Sequence, residues 1–258
     1  MFFQFQVFLY SLVFLVILEL LSSDWVGSGL SSLSLNSQWL AVAIFMMFSV
    51  YFYQVAKRIS RNVTMTPMPL IFVSGAMGML YFVRSEKQEN FLIMLASVAY
   101  YFIHLAFYRL RTCHKDKTAH GIVAAGSLAT IFVFYCASYG IYLNFAIGLW
   151  VLMAALALVT SLISFQYFWL INENKKNVLN YSLILGLVMA EIVWVLNFWP
   201  FGYLTTGVIN LIFYYVFWDL LQCHFLDALS KKRVVANMIF FGFLIALVLS
   251  STRWLPVV

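Results

Sequence analysis

The sequence has very little charge for its length. Only 9% of its 258 residues are Asp, Glu, Lys or Arg, whereas 64% are hydrophobic. A soluble domain has about a quarter of its residues charged and about half apolar, so this chain could not cover a soluble surface. The scarcity of charge excludes a soluble enzyme and predicts a multi-pass integral protein of a cytoplasmic or inner membrane.

The sequence also lacks the motifs of well-known membrane and metal chemistry. Cys113, Cys136 and Cys223 form no CxxC pair and no zinc-type spacing, and there is no HExxH motif. No Walker loop, GxSxG elbow or DxxD-type acidic pair is present, and every lysine lies between the apolar runs. These absences predict no metal, no cofactor and no catalytic residue.

The net charge of +6 does not indicate a nucleic-acid partner. The basic residues lie in short loops between apolar runs, not in a patch with base-stacking side chains. Such loops orient helices, because cytoplasmic loops of membrane proteins carry an excess of Lys and Arg. The predicted partners are therefore the lipid bilayer and, as one alternative, other membrane subunits.

Long apolar runs are what the sequence does contain. A bilayer core requires about 20 apolar residues per helix, which predicts an all-α bundle of about nine continuous membrane-spanning helices. Their approximate bounds are 3–22, 38–55, 68–83, 90–109, 120–141, 145–170, 177–199, 201–222 and 234–250. The third run is short, and the count falls to eight if this run is a re-entrant or interfacial segment. The four prolines lie at run ends or in loops, so no run shows the mid-membrane break of many transporters.

The basic residues test the number of spans and give their direction. With a cytoplasmic N-terminus, nine spans place most of them in cytoplasmic loops: Lys57, Arg58, Arg61, Arg109, Arg111, Lys115, Lys117, Lys175, Lys176, Lys231, Lys232 and Arg233. Only Arg84, Lys87 and Arg253 lie on the other side. Eight spans would scatter these charges over both faces, so we expect nine spans and an outside C-terminus. The first run lacks a basic n-region, and we expect a span rather than a removed signal peptide.

The connections between the runs are too short for a soluble domain. The longest has about 15 residues, from Ser22 to Asn36, so residues 1–258 are predicted to form one transmembrane domain. Two segments are weakly similar: YYFIHLAFYRLRTCH in the fourth run and YYVFWDLLQCH in the eighth. This similarity suggests a parallel repeat of spans 1–4 and 5–8, followed by a ninth helix. Chance would also produce this similarity, because 19% of the residues are aromatic.

Glu191 is the acidic residue that lies deepest in an apolar run. The tight WPFG connection that follows it predicts an antiparallel hairpin of spans seven and eight. Glu191 lies about nine residues before this turn and Asn210 about nine after it, so both are expected roughly 14 Å below the outer surface. They would either share a hydrogen bond that clamps the hairpin or open onto a ligand, proton or cation site. Trp194 and Phe198 would then be aromatic walls.

His104 and Asp219 lie nearer the cytoplasmic ends of spans four and eight. His104 shares a helical face with Tyr101, Tyr108 and Arg111, and it is either a hydrogen-bonded structural residue or a functional one. Asp219 is either an interfacial acid paired with a nearby Arg or Lys, or part of a water-filled vestibule.

Three functions stay open on this sequence. The first is a small-solute or ion carrier or channel-like protein, with an interior polar path through Glu191, Asn210, His104 and Asp219. The second is a non-catalytic structural or regulatory subunit of a membrane complex. The third is a membrane enzyme acting on a lipid or isoprenoid, with Asp219 and His104 as acid–base groups. The missing motifs favour the first two.

Overall fold

The computed structural model describes residues 2–22, 37–61, 63–83, 85–113, 116–145, 147–172 and 174–251. In this part of the chain there are nine α-helices and no strands, which confirms the predicted all-α class. The helices are α1 (Phe2–Ser22), α2 (Ser37–Ser60), α3 (Pro67–Leu80), α4 (Glu86–Thr112), α5 (Lys117–Asn144), α6 (Leu149–Trp169), α7 (Lys175–Leu196), α8 (Tyr203–Phe225) and α9 (Lys231–Ser251).

Each predicted apolar run corresponds to one helix. Among the described residues, eight segments are long and apolar enough to cross a membrane. The remaining run, 38–55, falls within the 24-residue helix α2. The predicted connection from Ser22 to Asn36 lies largely outside the described residues, as do Arg84, Lys115 and Arg253.

The short third run is a helix extended by a 3₁₀ turn. Proline at the start of α3 is favourable because its fixed φ suits the first turn and its missing N–H would be unpaired there anyway. The turn Val63–Met65 precedes it, and Thr66 donates its hydroxyl to the Val63 carbonyl at 2.7 Å. Together they form a candidate span, Val63–Leu80.

The chain divides into two compact units, Met1–Thr130 and Ile131–Val258, and the boundary falls within α5. In the first unit, α4 packs against α1, α2 and α3. In the second unit, α7 packs against both α6 and α8, and α9 packs against α8. The predicted four-plus-four repeat stays a prediction.

The predicted hairpin consists of α7 and α8, which are joined by residues 197–202. Leu196, Phe201 and Ile209 form a buried apolar cluster that fixes this end of the second unit. Gly202 has φ of −71°, so it does not adopt a left-handed conformation in this turn.

The closest helix packing in the second unit gives a test of the fold. Alanine at Gly186 of α7 would place its Cβ 2.6 Å from the Ala157 carbonyl oxygen of α6. Overpacking of this kind costs about 1–3 kcal/mol, so we expect Gly186→Ala to lower the thermal unfolding midpoint in detergent. A Cβ added at Gly242 meets nothing within 4 Å, so Gly242→Ala is the control. Equal midpoints for the two variants would contradict the close approach of α6 and α7.

Candidate functional site

His104 lies in the interior of the first unit and is 1% exposed. Its ring centroid is 4.3 Å from that of Tyr100, which lies one turn earlier on α4. Neither ring nitrogen has a hydrogen-bond partner among the described residues. The two alternatives for His104, a hydrogen-bonded structural residue or a functional one, both stay predictions.

Two further buried polar side chains share this face of α4. Ser97, Tyr100 and His104 have the spacing i, i+3 and i+7, which places them on one side of a helix. The Ser97 Oγ and the Tyr100 hydroxyl also lack partners in the part of the chain that the structure describes. We call these three residues the α4 polar cluster.

Aromatic rings surround the middle of this cluster. The ring of Tyr100 lies 4.6 Å from that of Phe14 on α1 and 5.8 Å from that of Phe52 on α2, measured between centroids. All three rings are fully buried. Phenylalanine offers no hydrogen-bonding atom, so neither of these two rings can bond to the Tyr100 hydroxyl. An unpartnered buried polar atom lowers the free energy of unfolding by about 1–3 kcal/mol. A polar group that bonded to the cluster would recover this loss.

Asn210 is fully buried in the second unit. Its side-chain nitrogen donates to the Tyr139 hydroxyl at 3.3 Å and to the Thr206 carbonyl at 2.9 Å. Its Oδ1 has no partner within the described ranges. Asn210 therefore bonds to α5 and to its own helix, not to the neighbouring helix α7.

Of the two alternatives for Glu191 and Asn210, the shared hydrogen bond is not the one that the described residues contain, because Asn210 bonds to Tyr139 and Thr206 while Glu191 is exposed. Glu191 lies on the exposed face of α7 with Trp194 and Phe198, which are 49% and 69% exposed. The buried face of α7 is defined by the apolar positions Val178, Leu185, Met189, Val193 and Leu196. Counting from the turn gave the depth of Glu191 along the helix, but the direction around the axis is set by this buried face.

The aromatic residues expected beside Glu191 share its face. The ring centroids of Trp194 and Phe198 are 5.5 Å apart in an edge-to-face contact. Since both side chains are exposed, they are not walls of an interior cavity. Glu191 and Trp194 therefore do not belong to the interior polar path that the sequence suggested. They lie on the exposed surface of α7.

Asp219 joins α8 to α9 in the second unit. One oxygen accepts from Arg233 Nη2 at 3.4 Å, and the other accepts from the Asn237 side-chain nitrogen and from the Cys223 thiol. Of the two alternatives for Asp219, the structure contains the ion pair. Asp219 could act as an acid or base only after releasing these partners.

A triangle of buried hydrogen bonds connects α5, α6 and α8. Tyr135 bonds to Thr160 at 2.7 Å, Ser164 bonds to Tyr214 at 3.2 Å, and the Asn210–Tyr139 bond closes the triangle. Each helix contributes two polar residues spaced i and i+4. These pairs were not predicted as a set. The signal in the sequence is a spacing of four residues within each pair: Tyr135 and Tyr139, Thr160 and Ser164, and Asn210 and Tyr214.

The connection from α4 to α5 is held by an ion pair between Arg109, near the end of α4, and Asp116, which lies between the two candidate spans. Asp116 accepts hydrogen bonds from the backbone N–H groups of Thr118 and Ala119 and from Arg109 Nε at 2.8 Å. The Ala119 N–H and the Arg109 charge hold the pKa of Asp116 below its usual value. The carboxylate therefore fixes where α5 begins.

No group of three or more His, Cys, Asp or Glu side chains lies together in the described part of the chain. Cys136 and Cys223 are buried and Cys113 is exposed, and all three are free thiols.

A comparison with protein families identifies the family. The model of the family described as "Protein of unknown function (DUF5656)" matches residues 19–252. The chain belongs to this family. The match spans both compact units of this DUF5656 chain and includes the α4 polar cluster, Glu191, Asn210 and Asp219. No curated protein and no solved structure matches the chain.

The contacts of Asp219 in this DUF5656 chain predict unequal effects for substitution of the two members of its ion pair, Asp219 and Arg233. Asp219→Ala leaves Arg233, Asn237 and Cys223 without their acceptor, and a loss of about 1–3 kcal/mol is expected. Arg233 is half exposed, so Arg233→Ala is expected to cost less than about 1 kcal/mol. Thermal unfolding in detergent measures both changes. A larger loss in Arg233→Ala than in Asp219→Ala would contradict this assignment.

Proposed function

We propose that the chain is an integral membrane protein with nine spans, a cytoplasmic N-terminus and an outside C-terminus. Eight candidate spans and the long helix α2 support this placement. The outer helix α9 supports it further, because it has no buried residue and exposes apolar side chains such as Ile239 and Phe243. A bilayer would cover these side chains, whereas water would not.

Within this membrane protein, we propose a carrier or channel-like activity for a small solute or ion that binds at the α4 polar cluster. The supporting observation is that Ser97, Tyr100 and His104 are buried on one face with four polar atoms unpartnered. Ionisable residues inside membrane spans are rare and usually line cavities or substrate paths. The proposed path includes Ser97 and Tyr100, which were not expected from the sequence. It does not include Glu191 and Trp194, which were.

The chemistry of the cluster suits an uncharged or weakly charged polar occupant. A neutral imidazole has one donor and one acceptor, and the two hydroxyls can each donate and accept. An occupant that bonds to these atoms recovers the free energy lost by leaving them unpaired. The role of Asn210 and Asp219 in the same path stays a prediction.

Flux through proteoliposomes tests this proposal. The probes are K⁺ and H⁺, followed with fluorescent dyes, and glycerol and urea, followed by stopped-flow light scattering. We expect His104→Leu and Tyr100→Phe to lower the flux of the transported probe about tenfold or more, since both remove bonds to the occupant. Tyr135→Phe removes a hydroxyl that already has a protein partner, Thr160, and is the control that should keep the flux.

Two results would contradict carriage at this cluster. One is unchanged flux in folded His104→Leu and Tyr100→Phe proteins. The other is a wild-type protein that moves none of the four probes faster than empty vesicles.

The outward position of Glu191 favours a second candidate, a subunit of a membrane complex. Glu191 and Trp194 on α7, and Phe198 in the turn after it, are exposed and face away from the buried side of α7. A charged carboxyl in the hydrocarbon region costs about 2.5–3.5 kcal/mol on insertion scales. A partner helix with a basic or hydroxyl side chain would remove this cost.

Purification in a gentle detergent tests the second candidate. We expect a stable partner to co-purify with the wild-type protein and to be lost from Glu191→Leu, because the interhelical bond is removed. Glu86→Leu is the matched control, since Glu86 is also exposed but lies at the start of α4. Equal recovery of the partner with both variants, or a wild-type protein that purifies alone, would rule out this role of Glu191.

A further inference from the structure

An open groove of about 540 Å³ runs between α4 and α5 in the first unit. Ala99 and Phe102 contribute to its α4 wall, and Gly121, Ala125 and Ala129 contribute to its α5 wall. At about 100° per residue, Ala99 and Phe102 point roughly opposite to the α4 polar cluster. The groove is therefore a feature separate from the site proposed above.

Two glycines of α5 explain the shape of the groove. A Cβ at Gly126 would lie 2.7 Å from Met68 Cε and 2.9 Å from Ile103 Cγ1, so α5 is closely packed at this position. A Cβ at Gly121 would meet nothing within 4 Å. The floor of the groove is thus filled by protein, while the space beside Gly121 is open.

The length of the groove matches one leaflet of a bilayer. Its α5 wall extends from Thr118 to Ala129, which at about 1.5 Å per residue is roughly 16 Å. The hydrocarbon core of a bilayer is about 30 Å thick, so half of it is about 15 Å. A single hydrocarbon chain that enters from one membrane surface has this reach.

The two ends of the groove differ in charge. Gly121, Ala125 and Ala129 are spaced by four residues, and the position one turn before them is the exposed Lys117. The nearest acid in sequence, Asp116, is bonded to Arg109. Lys117 therefore adds a positive charge one helical turn before the first of these wall residues, next to Thr118, which lines the groove.

We propose that this groove binds one hydrocarbon chain of an anionic phospholipid, with the lipid phosphate near Lys117. The cationic end and apolar wall complement the two parts of such a lipid, and basic sites between membrane helices bind anionic headgroups. The proposal rests on the membrane placement of α4 and α5, but not on the carrier activity. A transmembrane helix from a second copy of the chain is the competing occupant.

Native mass spectrometry of the detergent-purified protein, titrated with phosphatidylglycerol and with phosphatidylcholine, tests this proposal. We expect the wild-type protein to bind one phosphatidylglycerol at least tenfold more tightly than phosphatidylcholine. Gly121→Leu fills the open space and should weaken binding of both lipids at least tenfold. Lys117→Gln should abolish the preference for phosphatidylglycerol.

Gly242→Leu is the matched control for the filled groove, because a Cβ at Gly242 also meets nothing within 4 Å. It should bind both lipids as the wild-type protein does. If Gly121→Leu does not fold, Ala125→Leu fills the same groove and replaces it. Unchanged lipid binding in the groove-filling variant would overturn the proposal. A change in its dimer fraction, with lipid binding kept, would assign the groove to a second copy.

The membrane placement is checked separately by alkaline carbonate extraction of wild-type membranes. Release of the protein into the soluble fraction would reject the placement itself. Retention in the membrane, together with unselective lipid binding, would reject only the lipid site.

Discussion

A polar atom in an apolar interior needs a hydrogen-bond partner, and the structure depends on how each unit meets this need. In the second unit, part of the need is met by protein: hydroxyl and amide groups of α5, α6 and α8 bond in a closed triangle. Asp219 meets it with Arg233 and Asn237 on α9. The Asn210 Oδ1, the Ser182 Oγ and the Trp218 Nε1 of this unit still lack partners among the described residues. In the first unit, four atoms of the α4 polar cluster lie on one helix face without a partner among the described residues. This grouping on one face is the reason that the proposed binding site lies in the first unit.

Sequence predicts the number and length of the helices well, because both follow from simple physical limits. Hydrophobic residues make up 64% of the chain and occur in runs of about 20, which leaves few structures available other than long helices. Rotation about each helix axis does not follow from run length. Glu191 illustrates this. Its depth along the helix follows from its distance in sequence to the WPFG turn, but its outward direction follows only from the burial of Met189 and Val193 on the opposite side of the helix.

The polar contacts were less predictable than the helices for a related reason. A residue such as Tyr139 or Thr160 gives a helical spacing in the sequence, but its partner lies on another helix far along the chain. His104 was found because an ionisable side chain is rare in an apolar run. Ser97 and Tyr100 were missed because serine and tyrosine are common there, and only their position beside His104 gives them meaning.

The central claim is that the α4 polar cluster holds a polar occupant. An experimental density map of the protein in lipid nanodiscs, at a resolution that shows ordered water, tests it most directly. The account predicts density for a water, ion or solute within about 3.2 Å of a ring nitrogen of His104 and of the Tyr100 hydroxyl. A map that shows only apolar side chains packed against both groups would contradict it.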